Sequence, residues 1–283
     1  MKPNGYIVAT PKRVIKYGDK YKTIGFPILN ATLGSDLKFD GLKIYESIEV
    51  DETTKHNILN KGRMHHHDID NLNSVGCSLS HYRLWKICIE TNVPLVCWED
   101  DVEYNYFSNR NNMWSIINDF YDKYGDNSIF YLHSIFHHHR KNPFWKLFNI
   151  FRFDGIVEKN WTMWKHTNDL ECFGTQAYIV TPKVARILMD NFSPIKTHVD
   201  YYIGQMVVKH KINLGFIHWN YLREIPGQLS TSNYSLYSSP LIETINKKSR
   251  KKTLLLFVYK VILATISYIV TCFKLFIYKI TNG

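Results

Sequence analysis

Three consecutive carboxylates, Glu99, Asp100 and Asp101, close the short apolar run Val93-Pro94-Leu95-Val96-Cys97-Trp98. An apolar run of this length with β-branched members reads as a buried strand. Adjacent acids repel one another, and folding alone gives no reason to gather them at a strand end. A hard divalent cation does, because Mg²⁺ and Mn²⁺ take oxygen ligands and bridge protein carboxylates to substrate phosphates. In open α/β sheets ligands bind just beyond the carboxyl ends of the strands, where this triplet falls. Taken alone, the triplet reads equally well as a solvated acidic turn.

The segment ahead of it is Gly76-Cys77-Ser78-Leu79-Ser80-His81-Tyr82-Arg83-Leu84-Trp85. Leu84 and Cys88, flanked by Trp85 and Ile89, predict a helix from about Leu79 to Glu90. Thr91-Asn92-Val93-Pro94 ends it, since the residue before proline avoids the αR region. The order G-C-x-x-S-H-x-x-x-W, on a helix feeding an E-D-D strand end, resembles glycosyltransferase family 25. That family includes lipopolysaccharide and procollagen galactosyltransferases. The resemblance is strongest over residues 76–103 and 172–204. The second stretch holds Gly174-Thr175-Gln176-Ala177-Tyr178, and its Pro194…His198-Val199-Asp200 is similar to the family's Pro-x-Asp site. Near the amino end, Arg13 matches a family arginine beside the donor nucleotide, with Ala9-Thr10 standing where the family has Asn-Leu.

The resemblance implies a single α/β catalytic domain over residues 1–240, with a GT-A-like nucleotide-sugar-binding sheet and flanking helices. It implies inverting transfer of a hexose, galactose first, from a UDP-sugar to a hydroxyl of a glycan acceptor such as lipopolysaccharide or lipooligosaccharide. Glu99 and Asp101 would then hold Mn²⁺ or Mg²⁺ against the diphosphate, with His218 completing the shell. Asp100 is a candidate for the donor ribose or sugar, and Arg13 for the donor nucleotide. Ser80 and His81 would lie on the donor side and orient the acidic strand. Asp200 is the first candidate for the base that deprotonates the acceptor hydroxyl, and Glu171 the second. Each has a plainer reading: Asp200 as a carboxylate favoured at a helix N-terminus, His218 as a structural histidine. The rival reading of the whole is a non-catalytic peripheral membrane protein with a ligand-binding α/β domain. Retention of all three carboxylates favours the enzyme.

The elements that must carry these residues follow from local pattern. Tyr6–Ala9 predicts a strand, and Thr10-Pro11 starts a helix through N-cap and N1 chemistry. Phe26–Asn30, Ile129–Leu132, Gln176–Val180 and Ile212–His218 predict further strands, and the short βα repeats favour a parallel sheet. Met113–Tyr124 has a helical apolar face, Thr181-Pro182 begins another helix, and Asp200 lies on one with Ile203, Met206 and Val207. The histidine runs His65-His66-His67 and His137-His138-His139 read as polar loops, because adjacent side chains diverge and rarely serve one ion. The aromatics of residues 141–168, among them Trp145, Trp161 and Trp164, fit either a satellite core or a sugar-stacking platform.

Composition locates the charge. The formal net charge is +10, and residues 247–283 hold eight of the 35 Lys and Arg and no acid, so the remaining body is near neutral. A nucleic-acid binder would stripe its bases along a folded face; here they cluster in a tail, which argues against a nucleic-acid partner. Lys247-Lys248-Ser249-Arg250-Lys251-Lys252 precedes the apolar stretch Thr253–Phe273. That pattern predicts a membrane-associating tail, spanning or lying in the interface. Its basic cluster suits the anionic cytoplasmic face of a membrane, the bacterial inner membrane above all. Met1–Ile7 lacks the apolar segment of a signal peptide. The five cysteines have no C-x-x-C spacing, which suits a reducing compartment and predicts neither zinc nor disulfides.

Overall fold

Each predicted start signal operates in the structure, a computed structural model that describes residues 4–63, 65, 67–104, 110–132, 155–157, 161–164, 174–217 and 222–224. The first strand, β1 (Asn4–Ala9), hands over to helix α1 (Pro11–Ile24) at Thr10, whose hydroxyl accepts from the Arg13 N–H. Strand β2 (Ile28–Asn30) follows, then the hairpin β3 (Lys43–Tyr45) and β4 (Ile48–Glu49), and helix α2 (Glu52–Asn60). Helix α3 (Leu72–Thr91) begins seven residues before the predicted Leu79, because Asn71 caps it by accepting from the Ser74 N–H. Asn92, left-handed at φ 52, closes it and turns the chain into β5 (Leu95–Glu99).

The next elements are β6 (Val102–Tyr104), α4 (Arg110–Tyr124), β7 (Ser128–Tyr131), β8 (Gly155–Val157), β9 (Trp161–Trp164) and β10 (Ala177–Val180). Helices α5 (Pro182–Asp190) and α6 (Val199–Lys209), then β11 (Asn213–Ile217) and β12 (Leu222–Glu224), complete the described chain.

The central sheet has eight strands in the order β2-β1-β5-β10-β7-β11-β9-β8. It is mostly parallel, as the βα repeats predict, with two strands reversed. The pairs β1–β2, β1–β5 and β7–β11 are parallel, but β10 enters antiparallel between β5 and β7, and β9 runs antiparallel to both its neighbours. Six strands therefore point one way, with β10 and β9 reversed. Helices cover both faces. Tyr21 and Ile24 of α1 and Met113, Ile116, Ile117 and Phe120 of α4 pack with Ile7, Val96, Trp98, Phe130 and Ile179 in one cluster. Helix α3 packs behind the other face, against β5, α5 and α6.

Strand alternation now sorts the end of β5. Side chains i and i+2 share a face, so Val96 and Trp98 enter the α1/α4 core. Cys97 and Glu99 turn towards α3. Trp161 is buried in the core, edge-on to Phe120 and Tyr124, and donates to Asp119 at 2.9 Å. That places one candidate stacking aromatic in the core. The Trp145 and Trp164 side chains lie outside the described ones.

All described residues belong to one unit formed by residues 1–137 and 155–232; residues 138–154 and 233–283 form a second, outside the described residues. Among the described residues, no helix is long and apolar enough to cross a membrane. The tail falls outside them.

Candidate functional site

The acidic triplet is held from three sides. Asp100 forms an ion pair with Arg13 and accepts from the Thr10 N–H at 3.3 Å, so the first turn of α1 grips it. Its backbone carbonyl accepts from the Tyr21 hydroxyl at 3.0 Å, deeper along the same helix. Arg13 and Asp100 thus come together as a nearly buried pair with side chains each 12% exposed. Burial pushes the Asp100 carboxyl up, and the Arg13 charge only partly offsets it.

Glu99 is oriented by a relay. Its Oε1 accepts from the Thr175 hydroxyl and lies 3.2 Å from His81 Nε2. The other imidazole nitrogen, Nδ1, lies 2.9 Å from the Tyr178 hydroxyl, which accepts from Trp85 Nε1 at 2.9 Å. His81 and Trp85 are four residues apart on one face of α3, and Tyr178 reaches them from β10. With Tyr178 donating to Nδ1, His81 carries its proton on Nε2 and donates it to Glu99. His81 therefore positions the end of β5, as the sequence suggests. Thr175 and Tyr178 are sequence misses as site residues: Tyr178 sits in an apolar strand and reads as core, and only the fold shows that its hydroxyl ends a chain.

Ser80 works differently. Its hydroxyl donates to the Gly76 carbonyl at 2.7 Å and accepts from the Thr32 N–H at 2.9 Å, which ties α3 to the segment after β2. The contact is close because neither side has a Cβ. A Cβ at Gly76 would run into the Thr32 carbonyl oxygen, and one at Gly34 would lie 2.6 Å from the Asn73 nitrogen. The motif glycine is there for packing.

Asp101 is the outlier. Its Oδ1 is buried with no hydrogen-bond partner among the described residues. Burial, then the charges of Glu99 and Asp100, push its carboxyl up to about 8. This buried carboxyl oxygen, without a hydrogen-bond partner and beside two more acids, has only the Arg13 charge to offset them, and Arg13 is already paired with Asp100. The residues suit a divalent cation.

Asp200 joins the same site. It lies in the first turn of α6, its Oδ2 accepting from the Gly174 N–H at 3.2 Å and its Oδ1 from the Tyr201 N–H at 2.8 Å. The half-buried Cys77 thiol is pushed well up by burial, and then by the charges of Glu99, Asp200, Asp101 and Asp100 in that order. Asp200 and Glu99 bond to the adjacent residues Gly174 and Thr175, which brings Asp200 to the triplet. Cys77 is four residues before His81, and its Sγ, a His81 nitrogen and a Glu99 oxygen all lie within 4.8 Å of one another. The missed signal was this C-x-x-x-H spacing on a predicted helix.

His67 of the first histidine run is tied to the start of α6. His198 N–H donates to the His67 carbonyl at 3.1 Å, and Asp68 bridges Thr197. The His67 ring stacks on Tyr201 at 4.3 Å and on His65 at 5.3 Å. It walls the start of α6, next to Asp200. Glu171, His218, His66 and the run His137–His139 lie outside the described residues.

Comparison with known proteins agrees with this geometry at the level of family. The model of "Glycosyltransferase family 25 (LPS biosynthesis protein)" matches residues 20–203. No curated protein gives a match. Among solved structures, the apo form of mouse Xyloside xylosyltransferase 1 is similar at 9% identity and a TM-score of 0.33, over 74% of this chain and 69% of that one. The family match takes in the α3 motif, the acidic strand end and Asp200 together, and the chain belongs to glycosyltransferase family 25.

Proposed function

We propose that the chain transfers a hexose, galactose first, from a UDP-sugar to a hydroxyl of a lipopolysaccharide or lipooligosaccharide-type acceptor, with inversion. Glu99 and Asp101 would hold a divalent cation, Mn²⁺ or Mg²⁺. The observation that carries the reading is the buried, unpartnered Oδ1 of Asp101 beside two further acids. The cation, when bound, stabilises the charge that develops on the departing diphosphate. Arg13 neutralises Asp100 and fixes it beside the donor nucleotide. Thr175 and His81 hold Glu99 in place, so its orientation is set before substrate arrives. Asp200, fixed by two backbone N–H groups, accepts the proton of the acceptor hydroxyl. Residues 247–283 keep the enzyme on the anionic cytoplasmic face of a membrane, the bacterial inner membrane on this reading.

UDP release measured across a panel of UDP-sugars, with and without chelator, tests this directly. One donor should dominate and chelator should abolish its turnover. Release unaffected by chelator would remove the cation from the reading.

A further inference from the structure

His65 and His67, which the chemistry above does not use, sit on a turn that is pinned at several points. Arg63 and Asp70, both nearly buried and 3.7 Å apart, tie the two ends of the segment together. Between them the Asp68 N–H donates to the His65 carbonyl at 3.1 Å, and the His65 N–H donates to Asp68 Oδ2 at 2.8 Å. Asp68 pairs with Thr197 and the His198 N–H donates to the His67 carbonyl, which fastens the turn to the start of α6.

Three rings stack outward from that point. The Tyr201 and His67 rings lie 4.3 Å apart with their planes at 10°, and the His67 and His65 rings 5.3 Å apart at 7°. His67 is the half-buried middle ring, and His65 is the exposed outer one. The stack thus begins at the neighbour of Asp200 and ends in an exposed ring. Core packing does not explain that outer ring. An exposed side chain laid flat on its neighbour removes little apolar area from water, yet gives up rotamer freedom. A flat ring ordered in advance suits a sugar, whose C–H face packs on an aromatic face without a further ordering cost.

Inversion brings the acceptor hydroxyl to the face of the donor sugar opposite the departing group. Acceptor and cation therefore lie on opposite sides of the sugar being moved. Asp200 meets the cation side through Gly174, next to the Thr175 that holds Glu99. Through Tyr201 it adjoins the ring stack. We propose that the acceptor is a glycan of at least two sugars, one giving its hydroxyl to Asp200 and the next packing its C–H face on the His65 ring. This rests on the transfer reading above and specifies its acceptor. His65 lies two ring layers out from Tyr201, beyond the sugar held at Asp200 and in reach of the following one. His67 and Tyr201 are positioning residues that hold the His65 ring in place.

The test measures UDP release by the full chain on soluble acceptors. Methyl glycosides of glucose, galactose and N-acetylglucosamine are compared with methyl disaccharides that end in the same sugars. For the sugar that is accepted, the disaccharide should have a KM about fivefold to tenfold lower, the worth of one ring-stacking contact, with kcat little changed. His65→Ala should raise the disaccharide KM to that of the monosaccharide, and leave the monosaccharide and donor KM values within about twofold. His65→Phe keeps a ring face without the ring nitrogens and should restore the difference. A merely structural His65 would instead raise both acceptor KM values alike. Equal KM values in the wild type, or a difference that survives His65→Ala, overturns the second contact and leaves the transfer itself standing. Should the alanine variant fail to fold, the wild-type comparison and His65→Phe decide. UDP release that no glycan stimulates overturns the transfer reading and the second contact together.

Discussion

Asp101 and Asp200 are two carboxylates at one site with opposite surroundings, and that difference makes their roles separable by experiment. Asp101 has a buried oxygen without a partner and a carboxyl pushed up to about 8, so the folded protein binds its proton more tightly than the unfolded chain does. The folded state then holds more protons across the window between the ordinary carboxylate value and about 8. Stability of the cation-free protein should therefore fall as pH rises through that window and level off above it. Asp101→Asn should flatten this slope and abolish chelator-sensitive turnover while keeping the fold. Melting temperatures of both proteins from pH 4 to 9, without cation, check the first part; an unchanged slope would exclude Asp101 as its source. Asp200 instead accepts two backbone N–H bonds. Asp200→Asn should lose about 1 kcal/mol of stability, as one oxygen acceptor becomes a donor. As the base, it should also lower kcat by orders of magnitude with donor KM little changed. A lowered melting temperature with kcat preserved would reduce Asp200 to a helix-end carboxylate.

Among the elements, α3 gives the sharpest conflict between local preference and packing. Alanine in a helix interior is favoured over glycine by about 1 kcal/mol. By propensity alone, Gly76→Ala should stabilise the protein. The Cβ would run into the Thr32 carbonyl, which is backbone and cannot step aside. The outcome should be a loss of about 1–3 kcal/mol, the usual cost of overpacking, read from the denaturant midpoint. An unchanged or raised midpoint would mean that α3 does not press on that segment. Much of this layer was legible beforehand. Thr10-Pro11 and Thr181-Pro182 start helices in the structure, and Asn92-Val93-Pro94 stops one. These signals act within a few residues, so the sequence carries them whole. The direction of β10 was not legible: a fully buried strand is apolar throughout in either orientation, and its partners β5 and β7 lie about 80 and 50 residues away. The same limit hid the Tyr178–His81–Glu99 relay, whose members come from β10, α3 and β5. His81 and Glu99 were readable as chemistry, but their connection was not.

At the scale of the whole molecule, charge and chemistry occupy different parts of the chain. Every candidate site residue precedes residue 220, while residues 247–283 carry most of the net positive charge and a long apolar run. We propose that this tail places the enzyme beside a lipid-borne acceptor and takes no part in the transfer. A basic residue near an anionic bilayer gains about 1 kcal/mol, so Lys247, Lys248, Arg250, Lys251 and Lys252 together supply several. Burial of Leu254, Phe257, Ile262, Ile266 and Phe273 would add to that. Confinement to the surface raises the effective concentration of an acceptor anchored there, without any new contact at the site. Truncation after Ile245 should therefore release the protein from anionic vesicles in a flotation assay. UDP release with a water-soluble acceptor should be unchanged, and turnover on the same acceptor embedded in vesicles should fall by orders of magnitude. High salt should weaken binding of the full chain without abolishing it, since the apolar run is insensitive to screening. A truncated chain that still floats, or that folds but no longer turns over donor, would make the tail part of the catalytic unit. In that case the near-neutral body could not be treated as the enzyme by itself.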